Sequence, residues 1–187
     1  IEMRERPMTE TNLSSPTARD KTPTYWSEIS TPLGQLFIAT NSRGLCAIKF
    51  GRLESDLRSR STSRAPIDGG KSLLRQVCTD LQEYFLGRRT SFDLPVDLSS
   101  LTSFQREVLA VTRRIPWGEV WSYHRVAQEM GRPQSSRPVG QALGRNPIPI
   151  VIPCHRVVAS DGSLGGYCGK TGLELKRWLL RHEGAQL

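Results

Sequence analysis

The sequence predicts an α+β protein: a small N-terminal sheet with one helix, then a mostly helical C-terminal half containing a helix-turn-helix. Three observations carry this reading. Residues 24–50 hold strand-like apolar runs, residues 71–86 carry an apolar stripe at helical spacing, and from about residue 99 the texture changes to short helices broken by Gly and Pro. The length of 187 residues suits one ordinary domain, or a compact domain with a smaller companion. The expected division is a disordered tail over 1–22, an N-terminal α/β domain over 23–98 and a C-terminal domain over 99–187.

The tail is polar, rich in Thr, Ser and Pro, and has neither periodicity nor the apolar core of a secretory signal. After it, the runs Gln35–Ala39 and Leu45–Phe50 flank the turn-like Thr40–Gly44, the pattern of a hairpin. Residues 51–69 are charged and Ser/Arg-rich and end in Asp68-Gly69-Gly70, which predicts a loop. Leu74, Val77, Cys78, Leu81, Tyr84 and Phe85 then fall on one helix face, so Cys78 is expected in the core. Ser91–Leu98 has the composition of a further strand.

In the second half, Thr102 and Gln105 form a capping-box pattern ahead of Phe104, Val108, Val111 and Ile115, which share one helix face. Pro116-Trp117-Gly118 ends that helix. Ser122–Met130 is a second helix, Gly131-Arg132-Pro133 a turn, and Ser135–Leu143 a third helix opened by Ser135 or Ser136. Helix, Gly-containing turn and Arg-bearing helix make helix-turn-helix texture, although helical hairpins of this kind also occur in proteins that never touch DNA. Pro147, Pro149 and Pro153 forbid a helix before Cys154 and predict an extended, rigid approach to it. Thr171 and Glu174 repeat the capping-box pattern at the start of a last helix, with Leu175, Trp178, Leu179 and His182 on one face.

Charge is uneven. Residues 1–100 hold 14 Lys and Arg against 12 Asp and Glu, whereas 101–187 hold 12 against 6. The Arg-rich excess lies in the half that contains Cys154 and suits a polyanion such as nucleic-acid phosphate, or a solvated basic face. No apolar run is long enough to span a membrane. The four cysteines come without a secretion signal or a C-x-x-C pair, and with three histidines no zinc site of usual spacing can be drawn. Reduced thiols in an intracellular protein, in cytoplasm or nucleus, are the expectation.

Cys154 and His155 are adjacent behind Pro153. A thiolate is the nucleophile, and a free thiol is only a few per cent ionised at neutral pH, so a base or a positive charge must activate it. Neighbours in regular structure point apart, so His155 would have to act through an irregular turn or one bridging water. Glu183 is a candidate to orient the imidazole, and His182 beside it reads as a packing residue.

"IPIVIPCHRVV", with "GEVWSYHRVA", "RPVGQALGRNP" and "WLLRHEG", is similar to the O6-alkylguanine-DNA alkyltransferases, the methylated-DNA–protein-cysteine methyltransferases. The resemblance is dense from about Thr102 to Gly184 and weaker over Ile29–Phe50. It implies an RNase H-like N-terminal domain and a DNA-binding, alkyl-accepting C-terminal domain. It also implies repair by direct reversal: one irreversible transfer of an alkyl group from O6-alkylguanine, and from O4-alkylthymine, in duplex DNA to Cys154. No cofactor is needed, because damaged DNA is the donor. The expected partner is double-stranded DNA, met by a monomer away from any membrane.

Roles carry over residue by residue. Cys154 resembles the acceptor, His155 the base, Glu183 its carboxylate and Asn146 the asparagine bracing the preceding turn. Tyr123 resembles the tyrosine that crowds the DNA backbone and donates to the departing base. Arg137 resembles the finger that enters the duplex, with Ser136, Gly140 and Ala142 on the same DNA-facing helix. Tyr167, Cys168, Pro149, Leu143 and Gly165 correspond to the base pocket, and the Val157 backbone to an acceptor for the guanine amine. Cys168 stands where the family often has serine, a stronger donor. Pro138 follows Arg137 where a small residue is common, in a first helical turn that tolerates it. The loop through Lys170 and Thr171 is longer than in some relatives. A lesion-sensing or helix-turn-helix binding protein without reactivity is the alternative, set against the intact Cys154. A cysteine hydrolase is a third reading, which an adjacent histidine fits poorly.

Overall fold

A computed structural model describes residues 24–51, 68–167 and 172–186. The tail, most of the loop after the third strand, Cys168 and the Thr171 cap lie outside the described residues.

Three antiparallel strands, β1 (Tyr25–Thr31), β2 (Gly34–Asn41) and β3 (Gly44–Phe50), form a sheet in the order β1-β2-β3. Both connections are tight turns. Gly44 needs its missing side chain, because a Cβ there would stand 2.6 Å from the Pro95 carbonyl oxygen. Helix α1 (Asp68–Phe85) lies across all three strands and buries Val77, Leu81 and Tyr84, which recur at i, i+4 and i+7. Asp68-Gly69-Gly70 belongs to its first turn rather than to the preceding loop.

Ser91–Leu98 is extended but is not a full strand. Val96 makes a single bridge to Leu45, supported by Leu45 N–H to Pro95 O (2.9 Å) and Asp97 N–H to Leu45 O (2.8 Å). Pro95 has no N–H to donate, which stops a longer ladder.

In the C-terminal half, α2 (Ser103–Thr112) opens with the expected capping box: Gln105 N–H donates to the Thr102 hydroxyl at 3.3 Å, and Thr102 N–H to the Gln105 side chain at 3.0 Å. A short strand β4 (Trp121–Ser122) leads into α3 (Tyr123–Glu129), which Ser122 caps. A 3-10 turn over Pro133–Ser135 runs directly into α4 (Ser136–Leu143). Neither serine caps α4 as expected: Ser135 has φ −96° and ψ 20°, outside the extended conformation a capping side chain requires. Pro138 is accommodated within α4 without a break.

The segment before Cys154 is not simply extended. It turns back on itself, with Ile152 N–H on Ile148 O at 3.0 Å and Ile150 at φ 75°, a conformation β-branched residues rarely adopt. Strand β5 (Val157–Val158) pairs parallel with β4, and α5 (Gly172–His182) closes the chain.

Buried side chains from both halves form a continuous core, from Ile29 and Leu36 through Val108 and Val126 to Leu179. Polar ties reinforce the junction: Ile48 N–H meets Pro147 O at 2.8 Å, and the Arg113 guanidinium donates to the carbonyls of Phe92 and Leu94. The site-bearing loop therefore rests directly on the N-terminal sheet.

Candidate active site

Pro153 leads into a single 3-10 turn, Cys154–Arg156, from which β5 departs. Pairing of β5 with β4 places Val157 beside Trp121 and Val158 beside Ser122, so Tyr123, first residue of α3, faces the same cleft as Cys154. Cys154 is a thiol at 7% exposure. It opens into a cavity of about 500 Å³ lined by Tyr123, Gly140, Leu143, Gly144, Asn146, Gly166 and Tyr167. That size is typical of small-molecule sites, and it leaves room for a purine beside the sulfur.

Asn146 organises the approach. Its Nδ2 donates to Ile152 O at 2.9 Å and to Cys154 Sγ at 3.1 Å, and its Oδ1 accepts from Ile148 N–H at 3.0 Å. A donor aimed at sulfur favours the thiolate over the thiol.

His155 is fully buried, and its Nε2 lies 2.8 Å from Glu183 Oε1. Because the carboxylate only accepts, Nε2 carries the hydrogen and the lone pair is on Nδ1. Among the described residues Nδ1 has no hydrogen-bond partner. Burial holds the His155 pKa below its ordinary value, against the opposing pull of Glu183, so the ring is a neutral base near pH 7.

Glu183 accepts from Arg156 Nε at 2.7 Å and Nη2 at 3.0 Å and from the Tyr84 hydroxyl at 2.7 Å. Burial raises its pKa, but the hydrogen bonds from His155 and Arg156 and the charge of Arg156 outweigh that and bring it to about 2. Arg156 also donates from Nη1 to Ile115 O at 2.6 Å. His182, as expected, packs: it stacks on Trp178 with ring centroids 4.8 Å apart.

Lys176 is fully buried, and its Nζ donates to Val157 O at 2.5 Å and to Leu164 O. Burial lowers its pKa to about 8. The sequence assigned no part in the site to Lys176, Arg156 or Tyr84, and placed Tyr84 only on the apolar face of α1. A lysine four and three residues from the buried Gly172 and Leu179 was the available signal for the first. Arg156 follows His155 directly and Tyr84 lies on an apolar stripe, but nothing local paired either with Glu183.

Arg137 is exposed on a second concavity, shared with His124, Ser136, Gln141, Ala159 and Ser160, which meets the cysteine cavity at Tyr123 and Gly140. Ala142, expected to face DNA, is instead buried in the core: five residues on, it lies about 140° around the helix from Arg137. Pro149 is buried in the turn and does not line the cavity. The Val157 carbonyl, expected to accept from the guanine amine, already accepts one hydrogen bond from Lys176 Nζ. Gly165, at φ 63°, packs against Tyr123, whose hydroxyl would be 2.7 Å from any Cβ there. No metal cluster of His, Cys, Asp or Glu occurs among the described residues, and no helix among them is long and apolar enough to cross a membrane.

Residues 103–185 match the family model of the 6-O-methylguanine DNA methyltransferase DNA binding domain, and residues 24–98 that of its ribonuclease-like domain. The chain belongs to the 6-O-methylguanine DNA methyltransferase family. It is 38% identical over 161 residues to a methylated-DNA–protein-cysteine methyltransferase of Methanosarcina barkeri, covering 85% of this chain and 96% of that one. The Homo sapiens methylated-DNA–protein-cysteine methyltransferase is 37% identical over 85% of this chain and 80% of its own length. Among solved structures, Mycobacterium tuberculosis O6-methylguanine methyltransferase superposes with TM-score 0.74 at 34% identity, covering 86% of this chain and 93% of that one. The same organism's OGT in complex with DNA gives 0.71 at 35% identity, covering 85% and 92%. The N-terminal sheet with its helix and the helical C-terminal part are thus the architecture of this family.

Proposed function

We propose that the chain repairs DNA by taking the alkyl group of O6-alkylguanine onto Sγ of Cys154. The observation that carries this is a buried cysteine with an amide donor on its sulfur, a neutral histidine next in sequence, and a base-sized cavity beside both.

A base stacked in a duplex keeps its O6 substituent out of reach, so the nucleotide must leave the helix and enter the cavity, at a cost of a few kcal/mol. Arg137, exposed at the cavity's edge, fills the gap left in the stack. The thiol proton passes through one bridging water to Nδ1 of His155. Sγ attacks the alkyl carbon, the S–C bond forms as the C–O6 bond breaks, and the electron pair stays on guanine oxygen. The Tyr123 hydroxyl donates to that oxygen as charge develops. Burial holds this phenol's pKa up, and negative charge on Cys154 adds to the effect, so it remains a donor throughout. The imidazolium then gives its proton through water to the guanine anion, so the net proton moves from thiol to guanine. The thioether left behind has no leaving group, so each molecule reacts once.

Intact mass after incubation with a duplex containing O6-methylguanine tests the assignment. One methyl group, mapped by proteolysis to Cys154, is the expected result. Binding without a mass change would make the chain a lesion sensor, and turnover of an ester or peptide would make it a hydrolase.

A further inference from the structure

Tyr84 belongs to α1, in the N-terminal half, yet its hydroxyl reaches the centre of the C-terminal site. It donates to Glu183 Oε1 at 2.7 Å, the oxygen that also accepts from His155 at 2.8 Å and from Arg156 Nη2 at 3.0 Å. Tyr84 is fully buried, and its ring packs edge-on to Phe85, Trp117 and His182, each at a centroid distance of 5.3 Å. Phenylalanine would satisfy that packing equally well. A hydroxyl in such surroundings is costly unless it has a partner, and its partner here is the carboxylate behind the candidate base.

We infer that Tyr84 is a positioning residue for alkyl transfer, holding the Glu183 oxygen that orients His155. The inference rests on the reading of Cys154, His155 and Glu183 given above. Two consequences follow from sharing one oxygen. The carboxylate is fixed from a second direction, across the junction between the halves. Its lone pairs are also divided between donors, which limits how strongly it draws on the Nε2–H of His155. The charged and titratable groups acting on His155 are Glu183 and Lys176 from the α5 region and Arg156 from its own turn, with the Tyr167 ring at 6.4 Å. Removing the Tyr84 hydroxyl leaves Oε1 to His155 and Arg156. The bond to His155 strengthens, and the imidazole takes up a proton at higher pH.

The test is the pH dependence of single-turnover methyl transfer from an O6-methylguanine duplex. Tyr84→Phe is expected to move the acidic limb of the profile upward by about half a pH unit, a loss of up to about threefold on the limb itself, with rates equal to wild type on the plateau above it. Its duplex affinity, measured in a Cys154→Ala background, is expected to be unchanged. If Tyr84→Phe does not fold, 3-fluorotyrosine at position 84 supplies a stronger donor of nearly the same shape, and the limb is expected to move downward. A profile that superimposes on wild type, or a fall in rate that is uniform at every pH, overturns the inference. Mapping the methyl group in the same samples separates the two levels: methyl elsewhere than Cys154 overturns the site, whereas methyl on Cys154 with an unmoved limb overturns the role of Tyr84 only.

Discussion

The side-chain amide of Asn146 donates to Sγ of Cys154 at 3.1 Å, and the same nitrogen holds the Ile152 carbonyl at 2.9 Å. One residue thus shapes the turn and stabilises charge on the nucleophile. Asn146→Ala removes both. The lost hydrogen bond to a charged partner is worth about 1.5–3 kcal/mol, so alkylation by a free O6-alkylguanine base should slow by about 10–100-fold. A rate within twofold of wild type would show that the amide does not act on the sulfur.

Arg137 is exposed at the rim and does not line the cysteine cavity. Arg137→Ala should therefore slow repair of duplex DNA by about tenfold or more while leaving reaction with free O6-benzylguanine within about twofold. Equal losses on the two substrates would remove Arg137 from the role of filling the vacated stack.

Glu183 has its pKa lowered from an ordinary 4.5 to about 2. A carboxyl depressed in the folded state contributes stability that is complete above the unfolded value and is lost as pH falls through the folded one. The window is therefore pH 4.5 down to 2, and the contribution is on the order of 3 kcal/mol. Glu183→Gln should flatten the dependence of Tm on pH across that window. At neutral pH it should cost about 3–5 kcal/mol, because Arg156 is left buried without its counter-charge. Thermal melts from pH 2 to 7 on both proteins measure this, and parallel curves would contradict it.

Gly165 touches Tyr123 at a left-handed φ of 63°. Gly165→Ala places a methyl group 2.7 Å from the tyrosine hydroxyl, which has to move. Misplacing a donor by about 1 Å costs up to about 100-fold in rate. Alkyl transfer should fall by roughly that factor when the rate is measured with the duplex saturated by protein, so that any change in binding does not enter it. A wild-type rate would exclude Tyr123 as donor to the leaving base.

Local pattern was enough for much of this protein. The hairpin of β2 and β3, the helix from Lys71 to Phe85, the Thr102–Gln105 cap and the α3–turn–α4 unit are all set by residues within a few positions of one another. The nucleophile was legible for the same reason, since Pro153-Cys154-His155 is contiguous. The strand composition of Ser91–Leu98 misled because Pro95, inside that segment, has no N–H to donate and leaves Val96 a single bridge to Leu45.

By itself, then, the sequence determined the longer helices, the β2–β3 hairpin, the acceptor candidate and the family resemblance, because those depend on short-range spacing and residue type. Tertiary structure alone decided which imidazole nitrogen faces Glu183, that Lys176 ties the Val157 and Leu164 carbonyls, and that Ala142 turns inward. It also brought Tyr84 onto a carboxylate 99 positions away. The physical reason is that burial and hydrogen-bond partnership belong to the packed core, where the partner of a side chain is set by the crossing of distant elements rather than by its neighbours in the chain.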